Sequence, residues 1–346
     1  MLKLEAVLIT HNRPDLLEQC LASLESAVDL VKDQIQLKIL IGINGPSRIS
    51  WPVLESRLEK GSTAQTASIT YEILSISSPL RPSAARNRVL SLAQGEWLFF
   101  IDDDAFIGPD FFMTFLATLR REPNCSVIGG PNLTPLGSTL FQKASGAALS
   151  SRFGASASCV RYKPRSIESR RCGDESLILC NMFVKTEAMR SVHFPEGLIC
   201  NEENWILQDL NNRGELFLYE PSLWVWHERR KHPLAFAAQI HKYGIGRGQN
   251  LRLRPTTLEF RHVIPAFCVL FTVVSIAVMN WLPAVGQAWL VFLLIYLAIW
   301  TGATARLKAV ASERLDVCLL GGLLFPIIHV TYGTGVIRGL TCGRST

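Results

Sequence analysis

The sequence predicts an α/β protein, a mostly parallel sheet with helices on both faces, followed by C-terminal transmembrane helices. Three observations carry this. First, β-rich runs alternate with helically spaced apolar segments along the first part of the 346 residues, the pattern of a parallel sheet with crossover helices. Second, Trp97-Leu98-Phe99-Phe100-Ile101 is apolar at every position, as a strand buried on both faces must be. Third, the chain turns apolar beyond Arg261. Val263 to Leu282 is an uncharged run of 20 residues and Ala284 to Ala305 one of 22, each long enough to cross a hydrocarbon core as a helix.

Ala6-Val7-Leu8-Ile9-Thr10 is the first strand, and Asp15 to Leu30 follows with Leu16, Leu17, Cys20, Leu21 and Leu24 at helical spacing. Leu37 to Ile43 is a second strand, stopped by Asn44-Gly45-Pro46. Ile69 to Ile76 is a third strand, Ser83 to Leu92 a helix, and Gly95 precedes the apolar strand. Asp110 to Arg121 reads as a helix and Ser126 to Gly130 as a strand. Gly137 to Ser169, rich in Ser, Gly and Arg, reads as less regular, either an active-site segment or a surface excursion. Leu315 to Ile337 is a third apolar stretch, broken by Asp316, His329 and several glycines, which spans or lies at the interface. The expected division is a catalytic domain over 1–255 and a membrane region over 256–346, with spans at 263–282, 284–305 and a possible third at 315–337. Two helices buried in a soluble core are the competing reading, but soluble helices usually keep a polar stripe.

Arg247, Arg252, Arg254 and Arg261 precede the first span, and Arg306, Lys308 and Arg314 follow the second. The link at Pro283 is short and uncharged, so the two spans form a hairpin with both basic flanks, and the N-terminal domain, on the cytoplasmic side of the cell membrane. Met1-Leu2-Lys3-Leu4-Glu5 runs straight into the first strand, so no signal peptide or N-terminal anchor is expected. Nine cysteines without a CxxC pair argue against a zinc site or a disulfide framework and fit a reducing compartment. The net charge of +6 comes largely from Arg152 to Arg171 and the stretch before the first span. Such patches suit phosphates or membrane lipids. No module interleaves basic and aromatic residues, so nucleic acid is not an expected partner.

Asp102-Asp103-Asp104 follows the apolar strand directly, at the strand end where open α/β sheets bind ligands. Adjacent carboxylates repel, and a divalent cation relieves that repulsion; an acidic turn is the plain alternative. Thr10-His11-Asn12-Arg13 follows the first strand and either meets a nucleotide or shapes a turn. Arg86, in Ala85-Arg86-Asn87, either neutralises a phosphate or decorates a helix surface. Asn201-Glu202-Glu203-Asn204-Trp205 opens a helix. Its glutamates either complement the helix dipole or supply a general base. His227, after Trp224-Val225-Trp226, is a candidate metal ligand or phosphate contact.

Together these segments resemble the family 2 glycosyltransferases of the nucleotide-diphospho-sugar-dependent GT-A type. The resemblance runs from Ala6 to about Leu251 and rests on Ile9-Thr10-His11-Asn12-Arg13, Ala84-Ala85-Arg86-Asn87, Gly95 through Asp104, Cys180-Asn181-Met182-Phe183-Val184, Asn201-Glu202-Glu203 and His227. It implies a Rossmann-like GT-A domain and an inverting, metal-dependent transfer of a hexosyl-type sugar to a hydroxyl of a lipid-linked saccharide in cell-envelope glycan synthesis. Asp102 and Asp104 would form the DxD pair on Mg2+ or Mn2+, with His227 as a further metal ligand. Thr10, Asn12, Arg13, Asn44, Arg86, Asp102 and Asp103 would bind the donor. Glu203 would be the catalytic base, with Glu202 as the fallback. Trp205 and Asn181 would bind the saccharide or polyprenyl-linked acceptor, although core packing is the other reading of Trp205. The family's acidic pair usually ends in Asp, where this chain has Glu203. The family's uracil-contacting Asp is also missing from Gly42-Ile43-Asn44-Gly45-Pro46-Ser47, which leaves guanosine and thymidine donors open beside uridine. The alternatives are a polyprenyl-phosphate sugar synthase, which needs no general base, and a degenerate nucleotide-binding membrane scaffold. A processive synthase would carry more spans and a Gln-x-x-Arg-Trp motif, absent here.

Overall fold

A computed structural model describes residues 1–46, 68–311 and 314–341. The chain divides into two compact units. Unit 1 comprises Met1–Pro135, Pro164–Glu196 and Glu202–Glu228; unit 2 comprises Leu136–Lys163, Gly197–Asn201 and Arg229–Thr346.

Unit 1 opens with β1 (Leu2–Thr10), α1 (Pro14–Asp29), β2 (Ile35–Asn44), β3 (Ile69–Ile76), α2 (Pro82–Leu90) and β4 (Trp97–Phe100). Proline at the first turn of α1 and of α2 suits a position whose N–H would lack a helical partner anyway. Next come β5 (Ala105–Ile107), α3 (Phe111–Arg121), β6 (Val127–Gly129) and β7 (Asn132–Leu133). In unit 2 lie α4 (Leu140–Leu149) and the one-turn α5 (Arg152–Ala155). Unit 1 resumes with β8 (Arg170–Arg171), β9 (Met182–Lys185), α6 (Thr186–Arg190), α7 (Glu202–Asn212), β10 (Phe217–Tyr219) and β11 (Val225–His227).

The main sheet has the order β3-β2-β1-β4-β9-β6-β10-β8. β1, β2, β3 and β4 are mutually parallel, β9 runs antiparallel between β4 and β6, and β8 is antiparallel to β10. The apolar run of β4 is buried throughout, and its alternation assigns each residue to a face. Trp97 and Phe99 join the core beneath α1 and α3, whereas Leu98 and Phe100 join the core with α2, α6 and α7. Phe183 of β9 stacks on Phe99 at 4.3 Å and on Phe115 at 3.9 Å between ring centroids. A second sheet, β5-β11-β7, was not anticipated from the sequence, because its strands are two or three residues long.

Unit 2 continues with α8 (Pro233–Leu253), α9 (Phe260–Val278), α10 (Pro283–Ala311) and α11 (Leu315–Thr341). The last three are each long and apolar enough to cross a membrane. The segment 137–169 is more regular than the sequence suggested. Thr139 and Gln142 form a reciprocal capping box that starts α4, and short helical turns carry the chain on to Arg161. α8 and α11 cross where glycines face each other. A Cβ on Gly244 would lie 2.9 Å from the Gly335 Cα, and one on Gly248 would lie 2.9 Å from the Gly339 Cα. The Gly-x-x-x-Gly spacing on both helices lets their backbones touch.

Two outcomes follow for stability. Phe183→Ala removes a ring packed between two others and lowers unfolding free energy by about 3–5 kcal/mol, measurable by denaturant titration; a loss below about 1 kcal/mol contradicts this packing. Gly335→Val lowers the melting temperature of the detergent-solubilised chain, whereas Gly302→Val, where a Cβ would meet nothing within 4 Å, leaves it unchanged.

Candidate active site

β4 stops at Phe100, and Asp102-Asp103-Asp104 forms the turn into β5. β1 runs parallel beside β4, with Val7 opposite Phe100, so the segment after β1 emerges at the same sheet edge. There Asn12 takes a left-handed backbone, φ 50°, a conformation Asn tolerates better than most residues. Past this bend, Arg13 places Nη2 2.5 Å from Asp103 Oδ1 and Nη1 3.0 Å from Asp104 Oδ2. Thr10 Oγ1 donates to Asp103 Oδ2 at 2.7 Å.

The three carboxylates have different surroundings. The Asp103 side chain is 0 % exposed, Asp104 10 % and Asp102 37 %. Asp103 is thus turned into the fold, where burial pushes its carboxyl up to about 6 against the opposing pull of Arg13 and Thr10. Burial draws the Arg13 guanidinium down, but Asp103, Asp104 and Asp102 outweigh it and hold the group above its ordinary value.

His227 reaches the cluster through the small sheet. β11 pairs antiparallel with β5, setting His227 opposite Ala105, and Glu228 N donates to Asp104 O at 3.0 Å. His227 Nε2 lies 3.0 Å from Asp104 Oδ1 and 3.9 Å from Asp102 Oδ2. Its Nδ1 lies 3.9 Å from Cys180 Sγ and 3.5 Å from Asn132 Nδ2. Burial works against a charged ring, but Cys180 and Asp104 favour it and raise His227 well above its usual value.

On the other flank, Arg86 of α2 sends Nη2 to within 3.3 Å of Asp102 Oδ1 and pairs through Nη1 with Glu202. Glu202 is buried and opens α7; Glu203 follows, partly exposed. Asn87 fixes the approach to α7 by exchanging hydrogen bonds with the Phe194 backbone at 2.9 and 3.0 Å. Asp102, Cys180 and His227 each offer a ligand atom within 4.8 Å of the others. The carboxylate oxygens suit Mg2+ or Mn2+, whereas the Cys180 thiol suits softer metals.

Other anticipated residues do not join this cluster. Asn44 exchanges two 2.8 Å bonds with the Leu80 backbone, so its amide holds a loop. Asn181 is fully buried and donates to Pro131 O at 3.1 Å and Leu223 O at 2.7 Å. Trp205 is partly buried one turn into α7. Ser47 lies outside the described residues.

The family model described as glycosyl transferase family 2 matches residues 5–183, which includes the carboxylate turn, Arg13, Arg86 and Asn181. The chain belongs to this family. No curated protein sequence matches it significantly. Among solved structures, the mannosyltransferase PcManGT from Pyrobaculum calidifontis, in complex with GDP-Man and Mn2+, is similar at a TM-score of 0.60 and 12 % identity, covering 93 % of this chain and 86 % of that one. S. aureus TarS, residues 1–349 with UDP-GlcNAc, is similar at a TM-score of 0.49 and 13 % identity, covering 72 % and 70 %. This family 2 glycosyltransferase therefore has the GT-A fold, with three long apolar helices at its C-terminal side.

Cys180 and Asn132 beside His227 carried no role in the sequence reading. Nothing local marks either residue, because β7, β9 and β11 bring them together from distant parts of the glycosyltransferase chain. The Arg86 bridge can be tested by a double-mutant cycle. Arg86→Met leaves the buried Glu202 without its cation and costs about 3 kcal/mol or more of stability; Glu202→Gln in that background recovers part of it. Strictly additive losses, read by chemical denaturation, would show that the pair is not coupled.

Proposed function

We propose that this glycosyltransferase moves a sugar from a nucleotide-diphospho-sugar to a hydroxyl of a lipid-linked saccharide, with inversion, using Mg2+ or Mn2+. The observation that carries the reading is the convergence of Asp102, Asp104, His227 and Arg86 at the carboxyl edge of β4, within a family 2 fold. The complex of PcManGT with GDP-Man and Mn2+ names a donor and a cation of this class for that protein.

Asp102, Asp104 and His227 would hold the cation. When bound, that cation supplies positive charge against the leaving diphosphate. Asp103 has a different part. Held by Thr10 and Arg13, it sets the turn that presents its two neighbours. Arg86, anchored by Glu202, stands next to Asp102 to receive donor phosphate charge. Glu202 is occupied by Arg86, which favours Glu203, partly exposed on the first turn of α7, as the base that takes the acceptor hydroxyl proton. Asn12 and Thr10 would shape the donor pocket floor, and Trp205 would stack on the acceptor sugar. Asn44, bonded to the Leu80 backbone, and Asn181, whose Nδ2 donates to Pro131 O and Leu223 O, would support the pocket walls.

The apolar helices and their basic flanks support a multi-pass protein whose catalytic domain, about 1–255, faces the cytoplasm, with 256–346 as the membrane region. Protease added outside intact cells should leave the catalytic domain uncut; cleavage there would reverse the assignment.

The chemical reading is tested by nucleotide release with UDP-, GDP- and dTDP-sugars. Asp102→Asn and Asp104→Ala should nearly abolish turnover without unfolding the chain, and chelation should do the same, with Mn2+ restoring it. A folded Asp104→Ala enzyme with wild-type turnover would contradict the mechanism. Glu203→Gln should lower turnover by about 10²–10⁴. Full activity in Glu203→Gln would favour a phosphate acceptor, which needs no base, and thus a polyprenyl-phosphate sugar synthase.

A further inference from the structure

Cys180 has no part in the transfer proposed above, yet the fold sets it against Asp102 and His227. The β4–β9 register does the first. Phe100 stands opposite Met182, and two further steps of the antiparallel register bring Asp102 against Cys180. From the small sheet, β11 carries His227 to the same point, with Nδ1 3.9 Å from Cys180 Sγ and Nε2 3.0 Å from Asp104 Oδ1. Cys180 is 2 % exposed, and Asn132 Nδ2 donates to its sulfur at 3.4 Å, which holds the thiol in place. One ligand atom each from Asp102, Cys180 and His227 lie within 4.8 Å of one another. A buried thiol acting as a small apolar group accounts for the burial but not for the imidazole and carboxylate beside it. No Cys-x-x-Cys spacing announces the group, because Asp102, Cys180 and His227 come from three separate segments.

This donor set differs from one of oxygens alone. Mg2+ and Mn2+ favour oxygen ligands, whereas thiolate draws softer cations, and for a given site affinity rises from Mn2+ to Zn2+. Tetrahedral zinc sets its sulfur and nitrogen ligands about 3.5 Å apart, so Cys180 Sγ and His227 Nδ1 stand within roughly half an ångström of that spacing. Asp102, whose side chain is 37 % exposed, can turn to supply an oxygen and leaves an entry path from solvent. Binding through Nδ1 keeps Nε2 for Asp104, the carboxylate–imidazole–metal arrangement that orients ligating histidines. Thiolate and carboxylate together neutralise a divalent charge. The proton leaves Cys180 Sγ for solvent, as does any proton on Nδ1. We propose that Cys180, His227 and Asp102 form a site for a thiophilic divalent cation of the zinc class, which inhibits transfer by taking Asp102 and His227 from the cation that the reaction uses. The inhibition rests on the function proposed above; the site itself does not.

The test uses the full chain in detergent, with Cd2+ and Zn2+ as probes. Cd2+ should give the wild type a thiolate-to-metal charge-transfer absorption that Cys180→Ser lacks; the difference between the two removes the contribution of the other cysteines. Zn2+, titrated against a fluorescent chelator, should bind Cys180→Ser and His227→Gln at least about tenfold more weakly than the wild type, since losing a ligand costs no less than losing an outer-shell partner. Matching Cd2+ spectra and equal Zn2+ affinity in wild type and Cys180→Ser overturn the site. Should Cys180→Ser fail to fold, Cys180→Ala carries both comparisons. In nucleotide release supported by Mn2+, the Zn2+ concentration giving half inhibition should rise about tenfold or more in Cys180→Ser, each enzyme compared with its own turnover before Zn2+ is added. Zn2+ binding that depends on Cys180 but leaves turnover unchanged keeps the site and overturns the inhibition. A chain that binds Cd2+ through Cys180 but releases nucleotide from no donor keeps the site and loses the function proposed above, and the inhibition with it.

Discussion

The structure of unit 1 turns on holding three consecutive carboxylates at one strand end. Left alone, they would repel each other and resist burial. Three basic side chains answer them, each from a different element. Arg13 comes from the bend after β1, Arg86 from α2 and His227 from β11. Each position depends on a separate piece of folding. The β1–β4 pairing delivers Arg13, the clamp at Asn87 fixes the segment leading to Glu202, and the small sheet delivers His227. Acidic and basic groups alternate from Glu202 through Arg86 to Asp102, and from His227 through Asp104 to Arg13 and Asp103. Loss of Arg86 in particular would leave the buried Glu202 unanswered, so that link ties the site to the local fold.

Such an arrangement combines a stiff interior with an accessible rim. Asp103 and Glu202 are committed to internal partners, while Asp102 and Glu203 retain exposure. Neighbours along the chain thus have opposite assignments, one inward and one outward. This follows from the extended and helical geometries that carry them, since adjacent residues in a strand-like turn or at a helix start point to different sides.

The part legible in the sequence was the part encoded locally. The uniform apolarity of Trp97 to Phe100 revealed a strand buried on both faces, and the following aspartates marked the turn at its carboxyl end. The apolar helices were equally plain, because length and absence of charge are local properties. The α1 and α2 boundaries matched within a residue or two, with proline setting their starts. The small sheet stayed hidden because two- and three-residue strands have no periodicity to read. α4 was missed although its capping residues, Thr139 and Gln142, were visible, because the surrounding Ser and Gly suggested irregularity. The proximity of Cys180 to His227 was not legible at all, since only the tertiary fold creates it. Nor did the sequence reveal that Asn44 exchanges two hydrogen bonds with the Leu80 backbone, or that Asn181 Nδ2 donates to two carbonyls.

The glycine contact between α8 and α11 bears on how the chain is made. A ribosome delivers α8 well before α11, and the two Gly-x-x-x-Gly faces meet only when the chain has been synthesised as far as Gly339. Until then Gly244 and Gly248 sit on an exposed helix with little intrinsic helical preference. Unit 2 therefore completes this helix contact only after α11 has been made. Any nascent chain that stalls before the last turn of α11 presents an open helix face to the quality-control machinery of the cell.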